Sequence, residues 1–499
     1  MSDKHPPQQT GSSSEAGAPE ATILRGTSKA TTPPLRGTSK ATTPPLRGTP
    51  PYQEGSRKNS PPAKGEYPEG GRGLIPKLRF PEFRKAGTWE VKKLIDTSSK
   101  KIKWSFIGGP FGSNLKSSDY VGNGIRVIQL QNIGDAEFID NYRIFTSIEK
   151  ADELLSNNIY PGDIILSKMG DPVGRACLIP NTHNRYVMCS DGIRLVVDEN
   201  AHSKYFVYLL INSTQFRSLV EKTATGSTRK RIGLDDLKNL PMTLPSKGEQ
   251  QKIADCLSSL DTLITAQAEK IEALKTHKKG LMQQLFPQDG ETVPRLRFSE
   301  FRDAGEWEET TLGEIVEVAS GQVDPMEPPY NDMPHVGGEN IESHTGNLQG
   351  VSTARELGLI SGKYLFDERD VLYSKIRPAL NKVAIPGFRG ICSADIYPLR
   401  PSSQKLCRQY LAYVLLSEEF VKYATKNSDR SKIPKVNRDS LLAYKLVIPS
   451  PPEQQRIADC VSSLDMLITA ETEKLDALKT HKKSLMQQLF PAVENEAGS

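Results

Sequence analysis

The sequence predicts an α/β protein built twice over: two pseudo-repeated mixed α/β domains separated by two long helices, the helices packed as an antiparallel coiled coil with approximate twofold symmetry. Three observations predict it. At 499 residues the chain exceeds the roughly 100 to 200 residues that one core ordinarily organises, so two or three units are expected. A large internal repeat divides it. Each copy of that repeat ends in a heptad-like seam.

The first 74 residues stand apart. They are rich in Pro, Gly, Ser, Thr and Lys with few large apolar side chains, too little to offset the entropy of ordering, so residues 1–74 are expected to be a disordered low-complexity tail. An 11-residue unit recurs within it at 24–34 and 35–45, and a third copy begins at Leu46. Such repetition is read as neutral expansion whose basic residues could add weak, salt-sensitive attraction for DNA.

The two copies of the large repeat open with IPKLRFPEFRKAGTWE (75–90) and VPRLRFSEFRDAGEWE (293–308). They close with near-identical segments, 244–287 and 448–491, about three-quarters identical. Between these edges, 92–243 and 310–447 share a skeleton rather than a sequence. Each holds a strand ending in Asn-Ile (128–133; 336–341) and an Asp-hydrophobic-Ser-Lys strand (163–168; 370–375). Each then has one amphipathic helix (203–222; 404–426), a basic loop and a closing strand. The expected boundaries are a first domain at 75–245, a first helix at 246–290, a second domain at 291–449, a second helix at 450–491 and a flexible end at 492–499.

The helix assignment rests on spacing. From Ile253 apolar residues fall at 257, 260, 264, 271, 274, 281 and 285, interrupted by Gln267 and Lys278. Ile457, Val461, Leu464, Ile468, Leu475, Leu478, Leu485 and Leu489 repeat the pattern, with Glu471 and Lys482 as the interruptions. Steps of three and four make a coiled-coil seam, and about 33 residues at 1.5 Å each give a rod of about 50 Å. Pairing within the chain buries both seams, and an antiparallel pair sets the two preceding domains at opposite ends. The competing arrangement is a coiled coil between two chains.

Net charge is +5, of which residues 1–74 hold most, with ten basic against six acidic residues. Any nucleic-acid surface on the folded part must therefore be local. Six cysteines, at 177, 189, 256, 392, 407 and 460, show no CxxC pairing and read as free thiols rather than a zinc or redox site. No apolar run approaches the roughly 18 residues of a membrane span, and the first 20 residues lack a signal-peptide pattern. A cytoplasmic protein that touches no membrane is expected.

The ordered combination of a variable body, then Gly248-Glu249-Gln250-Gln251-Lys252-Ile253-Ala254 or Pro452-Glu453-Gln454-Gln455-Arg456-Ile457-Ala458, then LMQQLFP, resembles the specificity subunit of Type I restriction-modification systems over residues 75–491. The resemblance implies a non-catalytic subunit with no cofactor of its own. One target-recognition domain would read each half of a bipartite site on double-stranded DNA. The helices would dock two methylation subunits carrying S-adenosylmethionine, and restriction subunits would complete the complex. A recognition subunit of another multi-subunit restriction system would look similar.

Base edges are read by Arg, Lys, Asn or Gln, and phosphates are met by cations and loop amides. The densest basic loop, Gly226 to Arg231, offers Arg229, Lys230 and Arg231, and its expected counterpart, 426–432, offers Lys426, Arg430 and Lys432. Lys168 and Arg175 follow the Ser-Lys strand in the first half, matched by Lys375, Arg377 and Lys382. Gln129, Gln131 and Asn132, on a strand, are candidates for reading adenine, with Asn340 as the weaker analogue. Gln267, Lys278, Glu471 and Lys482 would fix helix register or face a partner. Gln250, Gln251, Gln454 and Gln455, taken as exposed with the neighbouring Glu249 and Glu453, would cap the helices or dock a partner.

An enzyme fits less well. Glu327-Pro328-Pro329-Tyr330 has the outline of the motif of amino-directed DNA methyltransferases, but Glu is one carbon longer than the residue that motif uses, and no glycine-rich cofactor loop precedes it. The few, scattered histidines and the lack of a carboxylate-lysine constellation argue against a nuclease. A plain coiled-coil scaffold would leave the two α/β bodies unexplained.

Overall fold

The computed structural model describes residues 74–226, 229–288, 290–402, 404–429 and 431–491. The tail up to residue 73, with its repeats, and the C-terminal segment 492–499 lie outside them. Among the described residues the first half contains β1 (Glu90–Lys93), β2 (Phe106–Gly108), β3 (Tyr120–Val121), β4 (Ile125–Ile128), β5 (Ile144–Thr146), β6 (Asn158–Ile159), β7 (Ile164–Ser167), β8 (Ala176–Leu178), β9 (Tyr186–Met188), β10 (Gly192–Leu195) and β11 (Pro241–Leu244). The second half repeats this with β12 (Glu308–Thr311), β13 (Val316–Val318), β14 (Gln322–Val323), β15 (Pro334–Val336), β16 (Ser352–Thr353), β17 (Lys363–Phe366), β18 (Val371–Ser374), β19 (Val383–Ala384), β20 (Gly390–Cys392), β21 (Ile396–Pro401) and β22 (Lys445–Ile448).

Each half pairs its first and last strands, β1 with β11 and β12 with β22, so the chain enters and leaves the domain side by side. A four-stranded sheet follows, ordered β2-β10-β7-β8 in one half and β13-β21-β18-β19 in the other. Its central strand carries the Asp-hydrophobic-Ser-Lys motif. Ile164 and Leu166 point into the main core, whereas Ile165 points the other way, against Ile128, Ile159 and Met188 of the five-stranded sheet. Both faces are covered, which explains an unbroken apolar run rather than alternation. The motif aspartates fasten the sheet: Arg194 Nε donates to Asp163 at 2.7 Å, and Arg400 Nε to Asp370 at 2.7 Å.

The five-stranded sheets, β3-β5-β4-β9-β6 and β14-β17-β20-β15-β16, share one parallel pair, β4 with β9 and β15 with β20. They differ at an edge, since β3 extends the β5 side in the first half and β14 extends the opposite side in the second. The single amphipathic helix expected in each half is two: α1 (Lys204–Ile211) and α2 (Thr214–Thr223), then, after α3 (Lys247–Leu285), α4 (Arg408–Leu416) and α5 (Glu418–Lys426). Serine causes each break. Ser213 Oγ accepts from Phe216 N and Ser417 Oγ from Phe420 N, N-caps that restart the helix.

The long helices α3 and α6 (Pro451–Leu489) hold 39 residues each, about 58 Å, longer than the rod of about 50 Å expected from the apolar seam alone because both begin six residues before it. They are antiparallel. Lys278 Nζ meets Asp465 at 2.5 Å and Lys482 Nζ meets Asp261 at 2.5 Å, a symmetric pair of bridges. Between them Gln267 Nε2 donates to the Glu471 carboxylate at 2.6 Å and to its carbonyl at 2.9 Å. These positions are equivalent in the repeat, so the pseudo-twofold axis runs through this contact.

Each helix ends inside the other half. Leu489 and Phe490 are buried in the first core, with the Phe490 ring 5.5 Å from Phe206. Leu285 and Phe286 are buried in the second, with Phe286 stacked on Tyr410 at 5.4 Å. Backbone bonds repeat the exchange: Leu78 N donates to Gln488 O, and Leu296 N to Gln284 O.

The expectation that the Glu-Gln-Gln segments are exposed is corrected for four of the six residues. Glu249 and Glu453, each 1 % exposed, are gripped bidentately by Arg79 and Arg297 at 2.7 to 2.8 Å. Gln250 accepts from Ser203 N and donates to Pro245 O, and Gln454 accepts from Cys407 N and donates to Pro449 O. Both glutamines are buried in their own half, where every hydrogen bond joins the helix start to the domain, so neither offers a docking surface. Gln251 and Gln455 remain exposed. All six cysteines are free, and among the described residues no helix is long and apolar enough to cross a membrane.

Phe490→Ala should destabilise the first half by about 3 to 5 kcal/mol, although the residue lies more than 260 positions beyond α2 in sequence. Hydrogen exchange should quicken in α1 and α2 and stay unchanged in α4 and α5. Faster exchange in both halves would contradict the separate cores.

Candidate nucleic-acid interface

The four-stranded sheets bring the sequence-predicted cations together at one end. Lys168 leaves β7 there, and Arg175 precedes β8 beside it. The basic loop is pinned to the same place, because Ile232 N donates to Lys168 O and Gly170 N to Lys230 O. Asp191, in the turn between β9 and β10, joins the two: Arg231 Nη2 from the loop lies 2.6 Å from its carboxylate, while its carbonyl accepts from Lys168 N. Lys230 reaches Glu221 at 2.6 Å, and Arg229 is exposed. Among the described residues Lys168 forms no ion pair, and the Arg175 Nε is buried without a partner.

The second half repeats the geometry with different residues. Val436 N donates to Lys375 O and Arg377 N to Pro434 O, and Lys375 N donates to Asp395 O. Lys375 and Lys435 both approach the Asp395 carboxylate, at 3.4 and 3.5 Å. Arg377 is exposed on a left-handed residue, φ 48°, and Lys382 Nζ donates to Gly338 O.

Lys435 is therefore the counterpart of Arg231, a residue that sequence reasoning missed. The clue was the buried Ile232 and Val436 that follow the two cations. The matched loops are 226–230 and 430–434, so Lys426 belongs to the end of α5 and not to the loop, Lys432 is exposed within it, and Arg430 lies outside the described residues.

The strand expected at 128–133 ends at Ile128, and Gln129, Gln131 and Asn132 belong to a tight turn, Leu130–Asn132, instead. Asn132 is fully buried. Its Oδ1 accepts from Gln129 N, and its Nδ2 donates to Ile139 O and Tyr142 O, which leaves it no group for a base. Asn340 does the same with Gly337 N, Gln349 O and Gly350 O. Both asparagines hold the turn at the end of the parallel pair, so Asn132 is removed from the base-reading set. Gln129 donates to the Tyr120 hydroxyl at 3.0 Å, and Gln131 is exposed. The Glu327–Tyr330 motif segment, residues 327–330, lies in a largely exposed loop.

Two cation-bearing sheet ends on duplicated bodies are thus set along one antiparallel rod. A family profile described as the Type I restriction modification DNA specificity domain matches the chain twice, over residues 89–276 and 304–480. The chain belongs to that family. Among curated members, the Type I restriction enzyme EcoDI specificity subunit of Escherichia coli is 28% identical over 282 residues, which is 52% of this chain and 62% of that protein. The MjaIX specificity subunit of Methanocaldococcus jannaschii is 24% identical over 80% of this chain and 92% of its own length.

The fold of the specificity family is shared as well. The Type I S subunit from M. genitalium superimposes with a TM-score of 0.51 at 18% identity, covering 84% of this chain and all of that one. A chain from a structure of type I R-M complex assembly gives 0.51 at 15% identity over 81% of this chain and 97% of its own.

The five-stranded sheet of the second half holds a buried histidine. His335, on β15, is buried with both ring nitrogens unpartnered among the described residues. Burial first, then the charge of Lys363, holds its pKa below the ordinary 6.5, with Glu339 opposing. The unfolded chain takes up that proton more readily than the folded one, so stability is intact above about pH 6.5 and falls as pH drops. Calorimetry from pH 7.5 to 5.5 should show a declining Tm for the second half, and His335→Phe should flatten the slope. An equal slope in both proteins would refute the assignment.

Proposed function

We propose that this chain is the non-catalytic, cytoplasmic DNA-reading subunit of a Type I restriction-modification complex, each domain reading one half of a bipartite target on double-stranded DNA. The observation that carries the reading is the equivalent placement of two cations at corresponding sheet ends, Lys168 and Arg231 in one half and Lys375 and Lys435 in the other, each joined by a further cation at the adjoining backbone contact, Lys230 from the loop in the first and Arg377 from the strand end in the second. Exposed ion pairs such as Arg231 with Asp191 are worth about 0 to 1 kcal/mol, so a DNA phosphate can replace the carboxylate at little cost. Gln129 and Gln131 are the base-reading candidates that keep accessible amides. A rod of about 58 Å separates the two readers by more than one duplex turn of about 34 to 36 Å, which suits two blocks and an unread spacer.

The same symmetry supports two identical partners. Leu263 and Leu467 stand exposed at equivalent positions on the outer faces of α3 and α6, with Gln251 and Gln455 also outward. Two methylation subunits, bringing S-adenosylmethionine, would dock there, and restriction subunits would join the assembly. Gln267, Lys278, Glu471 and Lys482 face inward and set helix register, consistent with polar seam residues that specify pairing.

The test is coexpression with the methylation subunit of the same system, purification of the complex and sequencing of the DNA it methylates. A two-block adenine-methylated motif with a fixed spacer is expected, and exchanging residues 92–243 should change one block alone. Methylation by this chain by itself, or no complex at all, would overturn the proposal. In that complex Lys168→Ala should weaken binding to all sequences and lower the slope of log affinity against log salt by about 1, whereas Gln131→Ala should relax selection at one position.

A further inference from the structure

Phe111 is 82 % exposed, and a lone exposed apolar residue is ordinary. This one sits at the tip of Gly109-Pro110-Phe111-Gly112, a loop anchored at both ends. Gly109 N donates to Gly192 O at 2.8 Å, and a Cβ at Gly109 would lie 1.8 Å from Cys189 O, so the loop lies flat on the turn between β9 and β10. Asn114 N closes a turn onto Phe111 O at 2.8 Å, and buried Leu115 packs with Val127 and Val187 on the far side. The ring is presented to solvent between two fixed anchors.

Its surroundings specify a ligand. Leu115 borders a shallow cavity of ≈ 230 Å³ that is also lined by Tyr120, Gln129, Gln131, Cys189 and Asp191. Asp191 in turn carries Arg231, and Lys168 is one hydrogen bond away. An apolar ring, two amide side chains and a set of cations therefore share one end of the domain. Cations match phosphates and amides match base edges, while an exposed ring on a loop anchored beside them matches the gap between two base pairs. A lipid surface would leave the amides unused, and one ring is too small an apolar patch for a protein partner.

We propose that Phe111 enters the base stack of the half-site read by the first domain, as an apolar wedge that opens one base step beside the bases met by Gln129 and Gln131. This rests on the DNA-reading function proposed above and adds a deformation to it. A step that unstacks easily, such as a pyrimidine-purine step, is then favoured without being contacted by a hydrogen bond. By strand register the equivalent stretch is Gly321-Gln322-Val323-Asp324, with Val323 where Phe111 stands and no aromatic residue, so the distortion belongs to one half-site.

The experiment uses the full chain in complex with its methylation subunits on a duplex bearing its own target. Thymine reactivity to permanganate is combined with 2-aminopurine placed at each adenine in turn. Wild type should show an unstacked step in the first half-site. Phe111→Ala should abolish that signal and weaken specific binding about 10-fold, by analogy with aromatic stacking on bases, with non-specific binding and complex assembly unchanged. Phe111→Trp should restore both. Unstacking caused by base extraction into a methylation subunit persists in Phe111→Ala, which separates the two sources. Equal signals in wild type and Phe111→Ala, or no unstacked step in the first half-site, would overturn the wedge. A wild-type complex that binds no sequence selectively would overturn the DNA-reading function itself, and the wedge with it.

Discussion

The reciprocal burial of two Leu-Phe pairs governs this structure. Leu489 and Phe490 complete the first core and Leu285 and Phe286 complete the second, so neither half has a finished interior without the other's helix. Because the plug lies at the end of a 39-residue rod, burying both plugs requires both helices to run their full length past each other in opposite directions. The seam contacts, the separation of the domains and the symmetry all follow from that requirement. Isolated helices of this kind draw most of their stability from packing, and here the packing at each end belongs to a different domain.

The polar contacts refine what the apolar ends enforce. Lys278 with Asp465 and Lys482 with Asp261 lie one on each side of the axis, and each aspartate also accepts from a domain tyrosine, Tyr413 at 2.9 Å for Asp465 and Tyr205 for Asp261. Rod and domain are therefore tied laterally as well as at the tips. Arg79 on Glu249 and Arg297 on Glu453 do the same at each helix start. Breaking one partner of such a buried pair strands the other without water, which costs more than the pair contributes when intact.

Much of the architecture was legible because repetition and spacing are properties of the sequence itself. The seam residues named the helices, and the copied edges named the two bodies. The failures share a physical cause, which is that burial is not written in residue type. Asn132 and Gln250 have the chemistry of readers and docking groups, yet each saturates its amide on nearby backbone and helps close a turn or a helix start. Two serines, Ser213 and Ser417, split what periodicity joined, since a cap overrides an apolar stripe that continues across it. Lys435 was hidden because the expected loop stopped at 432, and the backbone bonds that fasten Ile232 and Val436 to Lys168 and Lys375 show that it stands where Arg231 does. Phe111 gave no sequence signal, because exposure of a single ring depends on the turn beneath it.

The contact on the axis has an asymmetry that the two lysine-aspartate bridges lack. Equivalent positions meet there, but one is Gln267 and the other Glu471, with Lys270 and Lys474 close to the carboxylate. Two copies of the second half joined in this way would set Glu471 against Glu471, like charges at contact distance. Two copies of the first would set Gln267 against Gln267, which can exchange hydrogen bonds. The Gln-for-Glu difference at the centre of the rod thus makes the two halves complementary at their shared contact, and the duplicated gene product carries there a preference for pairing unlike with unlike.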